Sequence, residues 1–282
     1  MLKTKRWWRR IRAEYLNRAR HRQIVSLLRA EVFGGAPVTL KRMGNGGADS
    51  VYKVFLGKDA AGILRVRNPY QKPRPSALNA FLALSQSSID REWAVYTKGY
   101  PAGLTPQPLW RCEDAMLCAH LPYRPLRDCL NAKNAPPFLP LLLRCAALLD
   151  RLHKTGLSHM DAGLGNVLVD ENFENMTLID FEHGPAENFS FPAQCLYDHL
   201  KLLNTALQYR PAETIEGFSL WADNFRSGLA GDSSARAYFD TPAAEAALDE
   251  SKLPLSRLVN IWANPEIAAH IRALLAGGPV RQ

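Results

Sequence analysis

No stretch of this 282-residue sequence stays apolar for the roughly eighteen residues that a membrane-spanning helix needs. The most apolar segment, Phe138 to Leu152, is broken by Arg144 and Asp150 and reads as a buried helix of a globular protein. No apolar core follows the basic start, where Trp7, Trp8, Arg9 and Arg10 stand instead, so no secretory signal is expected. Cysteine is scarce: Cys112, Cys118, Cys129, Cys145 and Cys195, an odd number with no C-x-x-C pair. That pattern argues against a disulfide framework and a zinc site and fits a reducing, cytoplasmic setting. Internal repeats and low-complexity segments are missing too. The remainder, 47% hydrophobic and 22% charged, is the composition of a folded protein with a sizeable core.

Positive charge is present but confined. Residues 1–30 hold ten lysines and arginines against one acid, Glu14, a net of +9, while the whole chain carries +8. The body after residue 30 is therefore close to neutral, and a nucleic-acid surface spread over it is not expected. Within the basic segment Trp8, Ile11, Tyr15 and Ala19 follow helical spacing, with arginines between them, until Gly34, Gly35 and Pro37 stop the helix. Three readings of this amphipathic arm (residues 1–35) stand side by side. It can lie on an anionic membrane surface, pack on the following sheet with its basic face in water, or bind nucleic acid.

From Val38 onward the periodicity changes to two. Val38–Leu40, Val51–Leu56 and Ile63–Arg67 are strand candidates separated by turns at Gly44–Gly47 and Gly57–Asp59, a β-meander. A loop with Pro69, Pro73 and Pro75 leads to a helix over Ile89–Lys98, and two further strands are expected at Leu109–Arg111 and Ala115–Leu121. Helices then dominate, at 138–154 and 193–209 and in shorter pieces to the end. They are interrupted by a hairpin of Val167–Val169 and Thr177–Ile179 around the turn at Asp170 to Asn175.

Chemistry concentrates at that hairpin. His159, Asp161 and Asn166 precede it, with Asp161 and Asn166 five residues apart, and Asp180-Phe181-Glu182 follows it. A loop that carries an Asp and an Asn, followed by a hairpin that returns a second Asp, brings hard oxygen donors to one place. Such donors suit Mg²⁺. One carboxylate can take the proton of an attacking hydroxyl, and phosphoryl transfer asks for little beyond alignment and cations.

In these residues the chain resembles the protein-kinase-like superfamily. His159-x-Asp161-(x)4-Asn166 looks like the catalytic loop and Asp180-Phe181-Glu182 like D-F-G. Gly44-Asn45-Gly46-Gly47-Ala48-Asp49-Ser50-Val51 resembles the glycine-rich loop, with Asp49 where a third Gly would stand; a plain hairpin turn is the alternative. It is not a Walker A loop, since no G-K-[ST] follows. The resemblance implies an α+β, bilobal protein-kinase-like fold, an antiparallel β-sheet lobe with one helix (36–121) followed by a mainly helical lobe (122–282). It implies ATP and Mg²⁺ as cofactors, Asp161 as catalytic base, and Asn166 and Asp180 as metal ligands. Gly44, Gly46 and Gly47, a strand cation (Arg65 or Arg67), its partner Glu92, and the hinge backbone at Ala119 and Leu121 would hold the nucleotide. Asp198 would brace the catalytic loop, and His159 would do so rather than act as a base.

Two departures bear on the acceptor. Gly163 stands where protein kinases carry a Lys, and Asp180 and Asp198 are only 18 residues apart with no A-P-E between them. Little chain is left for a peptide platform, so the resemblance points to a small-molecule or glycolipid acceptor. With the basic arm, it is similar to bacterial lipopolysaccharide core kinases, which phosphorylate heptose or Kdo sugars at the inner membrane. A soluble aminoglycoside, choline, thiamine or sugar kinase is the alternative among enzymes, and a nucleotide-binding scaffold the alternative outside them. The sequence leaves the oligomeric state open.

Overall fold

The computed structural model describes residues 15–43, 49–70, 82–83, 88–185 and 191–217. The chain divides into two compact units, Met1–Pro75 with Ser87–Pro122, and Ser76–Gln86 with Tyr123–Gln282.

The first unit is built on a five-stranded antiparallel sheet. Its strands are β1 (Val38–Met43), β2 (Ser50–Leu56), β3 (Asp59–Val66), β5 (Pro108–Cys112) and β6 (Ala115–Ala119), in the order β1-β2-β3-β6-β5. Two helices belong to it, α1 (Arg18–Glu31) and α2 (Ser88–Gly99). Alternation along the strands sorts their side chains. Tyr52, Val54, Leu64, Val66 and Leu117 form one core with Ile24 and Leu28 of α1, while Arg65 falls on the opposite parity, where Glu92 of α2 meets it. Burying Ile24 and Leu28 contributes roughly 1.5–3 kcal/mol each. At Gly62 a Cβ would lie 2.7 Å from Leu117 Cδ1 and 2.9 Å from the Cys118 carbonyl oxygen, so β3 and β6 leave no room for a side chain there.

Helix α1 is fastened at both ends. Buried Asn17 donates to the Arg67 carbonyl at 3.2 Å, Arg20 pairs with Asp114, and Trp110 Nε1 donates to Glu31 at 2.6 Å. Arg18, Arg22 and Arg29 remain exposed. For residues 18–31 the structure thus has the packed helix with a solvated basic face. Trp7 and Trp8 lie outside the described residues.

The second unit is mainly helical. Helix α4 (Phe138–Lys154) buries Phe138, Leu141, Leu142, Cys145, Leu148, Leu149 and Leu152. Its two polar interruptions both have tertiary partners. Arg144 donates to the carbonyls of Phe173 (2.5 Å) and Glu174 (2.8 Å), and Asp150 meets His199 at 3.0 Å. The helix ends at Gly156, whose φ of 74° is the left-handed conformation that favours glycine at such a stop. Helix α5 (Phe191–Tyr209) follows, then α6 (Pro211–Glu216); a short helix, α3 (Leu126–Cys129), precedes α4. Two small sheets complete the unit. Strand β7 (Arg124–Pro125) pairs with β8 (Val167–Val169), which pairs with β9 (Met176–Leu178). Strand β4 (Leu82–Ala83) pairs with β10 (Gly184–Pro185). That last pairing has no counterpart in the sequence reading, which has only loop between Pro69 and Ile89. Among the described residues no helix is long and apolar enough to cross a membrane.

Candidate active site

In the second unit the loop between α4 and β8 gathers the polar residues. Asn166 donates its amide to the Asp161 carbonyl at 2.9 Å and to the Asp161 carboxylate at 3.1 Å. With the nitrogen committed there, the amide oxygen is the acceptor that Asn166 has to offer a ligand. The Ile179 N–H donates to the Asn166 carbonyl at 3.0 Å, which ties the end of the hairpin to the same loop one residue before Asp180. His159 and Phe181 stack with centroids 4.3 Å apart, a second link between loop and turn. Met160 (φ 64°) and Asp180 (φ 68°) both take the left-handed conformation, although neither is glycine. Such strain costs on the order of 1–3 kcal/mol per residue and persists where surroundings over-determine the backbone. Here it aims the two carboxyl-bearing segments.

Helix α5 holds this loop from behind. Buried Asp198 accepts the N–H groups of His159 (2.6 Å) and Met160 (2.7 Å) and meets His153 at 3.0 Å. Burial pushes its carboxyl up, but the His153 contact, with the nearby imidazoles and the backbone N–H, outweighs that and holds it below the usual carboxylate range. One turn on, Lys201 Nζ lies 2.9 Å from Asp161 Oδ1. One turn further, Thr205 Oγ1 accepts the Leu164 N–H at 3.2 Å. A Cβ on Gly163 would come within 3.1 Å of Thr205, so loop and helix are in close contact. Asp198, Lys201 and Thr205 share one helical face by their spacing, and sequence reasoning found only the first. The i, i+3, i+7 pattern was the available signal for the other two.

His159 is fully buried, and its Nδ1 accepts the Asp161 N–H at 3.3 Å. Burial drives its imidazole below the ordinary value, against the charges of Asp198, Asp161 and Asp180, which push the other way. His199 is lowered by burial as well, despite its bond to Asp150. Both rings are thus held neutral in the fold and gain a proton on unfolding below about pH 6.5. Stability is expected to fall as pH drops from about 7.5 to about 5.5, through the unfolded value of about 6.5. Asp150 and Asp198, whose values are lowered, contribute stability that is lost only at more acid pH, below the unfolded carboxylate range of about 4. They leave this window untouched. Urea midpoints measured across it check the sign.

In the first unit the sequence candidates separate. Arg65 Nε lies 2.7 Å from Glu92 Oε2, both largely buried. Arg67 follows the end of β3, is exposed, and bonds through its backbone to Asp114 and Asn17. Of the two arginines only Arg65 meets Glu92. A second carboxylate, unforeseen from sequence, also faces it: Asp49 Oδ2, at 3.7 Å, accepts a bond from Ser88 at 2.5 Å. Ala119 spends its N–H on the Gln107 carbonyl at 2.8 Å, and Leu121 follows β6. Gly44, Gly46 and Gly47 lie outside the described residues.

No family model matches the chain, and no curated protein matches it. Solved structures do. The Mycobacterium tuberculosis PknI kinase domain is similar at 16% identity and a TM-score of 0.41, over 67% of this chain and 88% of that one. A single-substitution mutant of that domain matches at 18% identity and 0.39, over 62% and 73%. The Chaetomium thermophilum Rio2 kinase in complex with ADP/Mg²⁺ and phosphoaspartate matches at 15% and 0.47, over 77% and 86%. The fold itself is α+β, an antiparallel sheet unit with an inserted helix followed by a mainly helical unit.

Proposed function

We propose that the protein is an ATP-dependent phosphotransferase acting on a hydroxyl of a non-protein acceptor. The observation that carries this reading is the joining of Asp161, Asn166 and the Asp180 turn through direct bonds. Asn166 and Asp180 offer oxygen donors only, a set that fits Mg²⁺ and not a soft metal. Bound there, the ion would supply positive charge to the β- and γ-phosphates. Asp161 orients the acceptor hydroxyl and takes its proton as the acceptor oxygen bonds to the γ-phosphorus. The bond from that phosphorus to the β–γ bridging oxygen breaks, leaving ADP and a phosphorylated acceptor. Arg65, fixed by Glu92, would be the cation that holds nucleotide phosphates. The carbonyl of Ala119 and the backbone of Leu121 would meet the base, and Gly44, Gly46 and Gly47 would cover the phosphates.

The acceptor class rests on chain length. Helix α5 begins at Phe191, only eleven residues after Asp180, too few for a peptide-docking segment. The best candidate is a sugar of lipopolysaccharide core. Exposed Tyr15 and Leu16 beside the exposed Arg18, Arg22 and Arg29 favour an acceptor presented at an anionic membrane. A soluble metabolite is the alternative. Incubation with γ-labelled ATP and either glycolipid vesicles or a small-metabolite extract tests the reading. Label is expected in the glycolipid fraction. Label in a metabolite would move the acceptor to the soluble class, and ATP binding without any consumption would leave a nucleotide-binding scaffold.

A further inference from the structure

The Lys201–Asp161 contact exceeds what packing the loop requires. Helix α5 already grips the loop at three backbone N–H groups, two through Asp198 and one through Thr205. The Lys201 and Asp161 side chains are 17% and 33% exposed, a partly solvated pair of the kind that adds little to stability. Yet it sets an ammonium 2.9 Å from the carboxylate proposed to receive the acceptor's proton. The placement makes sense if the ammonium also serves the group being transferred.

We infer that Lys201 is a catalytic cation: its ammonium bridges Asp161 and the transferring phosphoryl group. This rests on the phosphotransferase reading and adds a residue to it. The geometry allows both contacts at once. A hydroxyl bonded to Asp161 sits roughly 2.6–3.2 Å from it. Its oxygen approaches phosphorus at about 3–3.5 Å. The phosphorus therefore lies at most about 6–7 Å from a carboxylate that Lys201 already touches, a gap that one ammonium with two hydrogen bonds can bridge. An ammonium has three donors and needs only one for Asp161. The loop itself cannot supply the charge at Gly163, which has no side chain and is pressed against Thr205. Arg127, another cation beside the loop among the described residues, gives its Nε to Asp128 at 2.9 Å and lies over Gly165 rather than against Asp161. As charge develops between acceptor and leaving oxygen, a fixed ammonium offsets it with little rearrangement.

The test uses the full chain with Mg-ATP alone and water as acceptor, so that no acceptor need be known. Phosphate release, Mg-ATP affinity by calorimetry and the thermal midpoint are measured for wild type, Lys201→Ala and Lys201→Arg. Lys201→Ala is expected to lower kcat by about 100-fold or more, with affinity changed by less than about threefold and the midpoint nearly unmoved. Lys201→Arg is expected to recover about tenfold of that loss. Turnover of Lys201→Ala within about threefold of wild type overturns the inference and leaves the phosphotransferase reading standing. A loss that follows weakened affinity or a lowered midpoint, without recovery by Arg, overturns it in favour of a structural pair. A wild type that releases no phosphate, there or to any acceptor, removes the parent reading and this inference together.

Discussion

Replacing Asp161 by Ala is expected to lower kcat about a thousandfold while Mg-ATP affinity stays within a few-fold of wild type. A positioned general base contributes roughly 10²–10⁴ in rate, and its effect falls on the transition state rather than on nucleotide binding. The side chain is well placed to be removed without collapse of its surroundings. It is partly exposed, and its neighbours Asn166 and Lys201 can turn to water when it is gone. The loop backbone that carries it is held by Asp198 and Thr205, which the substitution does not touch. Steady-state kinetics with calorimetry separate the two effects. Normal turnover in this variant would remove Asp161 from the chemistry.

Asp198→Ala is expected to cost about 3–5 kcal/mol of stability, because it leaves buried groups without their shared acceptor. Two backbone N–H groups and His153 converge on this fully buried carboxylate. Cutting them loose would also release Met160 from its left-handed backbone, and with it the aim of Asp161. Asp198→Asn keeps an oxygen for one of the N–H groups and is expected to lose about half as much. Urea unfolding of the pair gives the comparison. A loss below about 1 kcal/mol for the Ala variant would show that the loop is held by other means.

The elements were largely legible because their signals are local. Apolar spacing gave the helix at Phe138–Lys154 to the residue, and alternation with flanking turns gave the sheet strands within a few residues. The pairing of Leu82–Ala83 with Gly184–Pro185 was not legible, since two-residue strands a hundred positions apart carry no periodicity. The choice between Arg65 and Arg67 was open for a related reason. Alternation puts both on one face, and only the end of β3 at Val66 and the reach of Glu92 part them. The spacing of Asp161, Asn166 and Asp180 was readable because a hairpin brings its ends together by necessity. Lys201 and Thr205 were missed because a helix residue declares its face, not what that face touches. Asp49 was read only as standing where a third glycine of the loop would be, and the turn of its carboxylate to Arg65 and Ser88 had no local signal.

The central claim is that Asp161, Asn166 and Asp180 form one divalent-cation and phosphate site. ATP affinity measured with excess Mg²⁺ and with chelator, for wild type and Asp180→Ala, tests it most directly. The account predicts that Mg²⁺ strengthens ATP binding to the wild type by about tenfold or more, while the variant binds ATP weakly and equally with and without the ion. A variant that keeps the full Mg²⁺ dependence would contradict it.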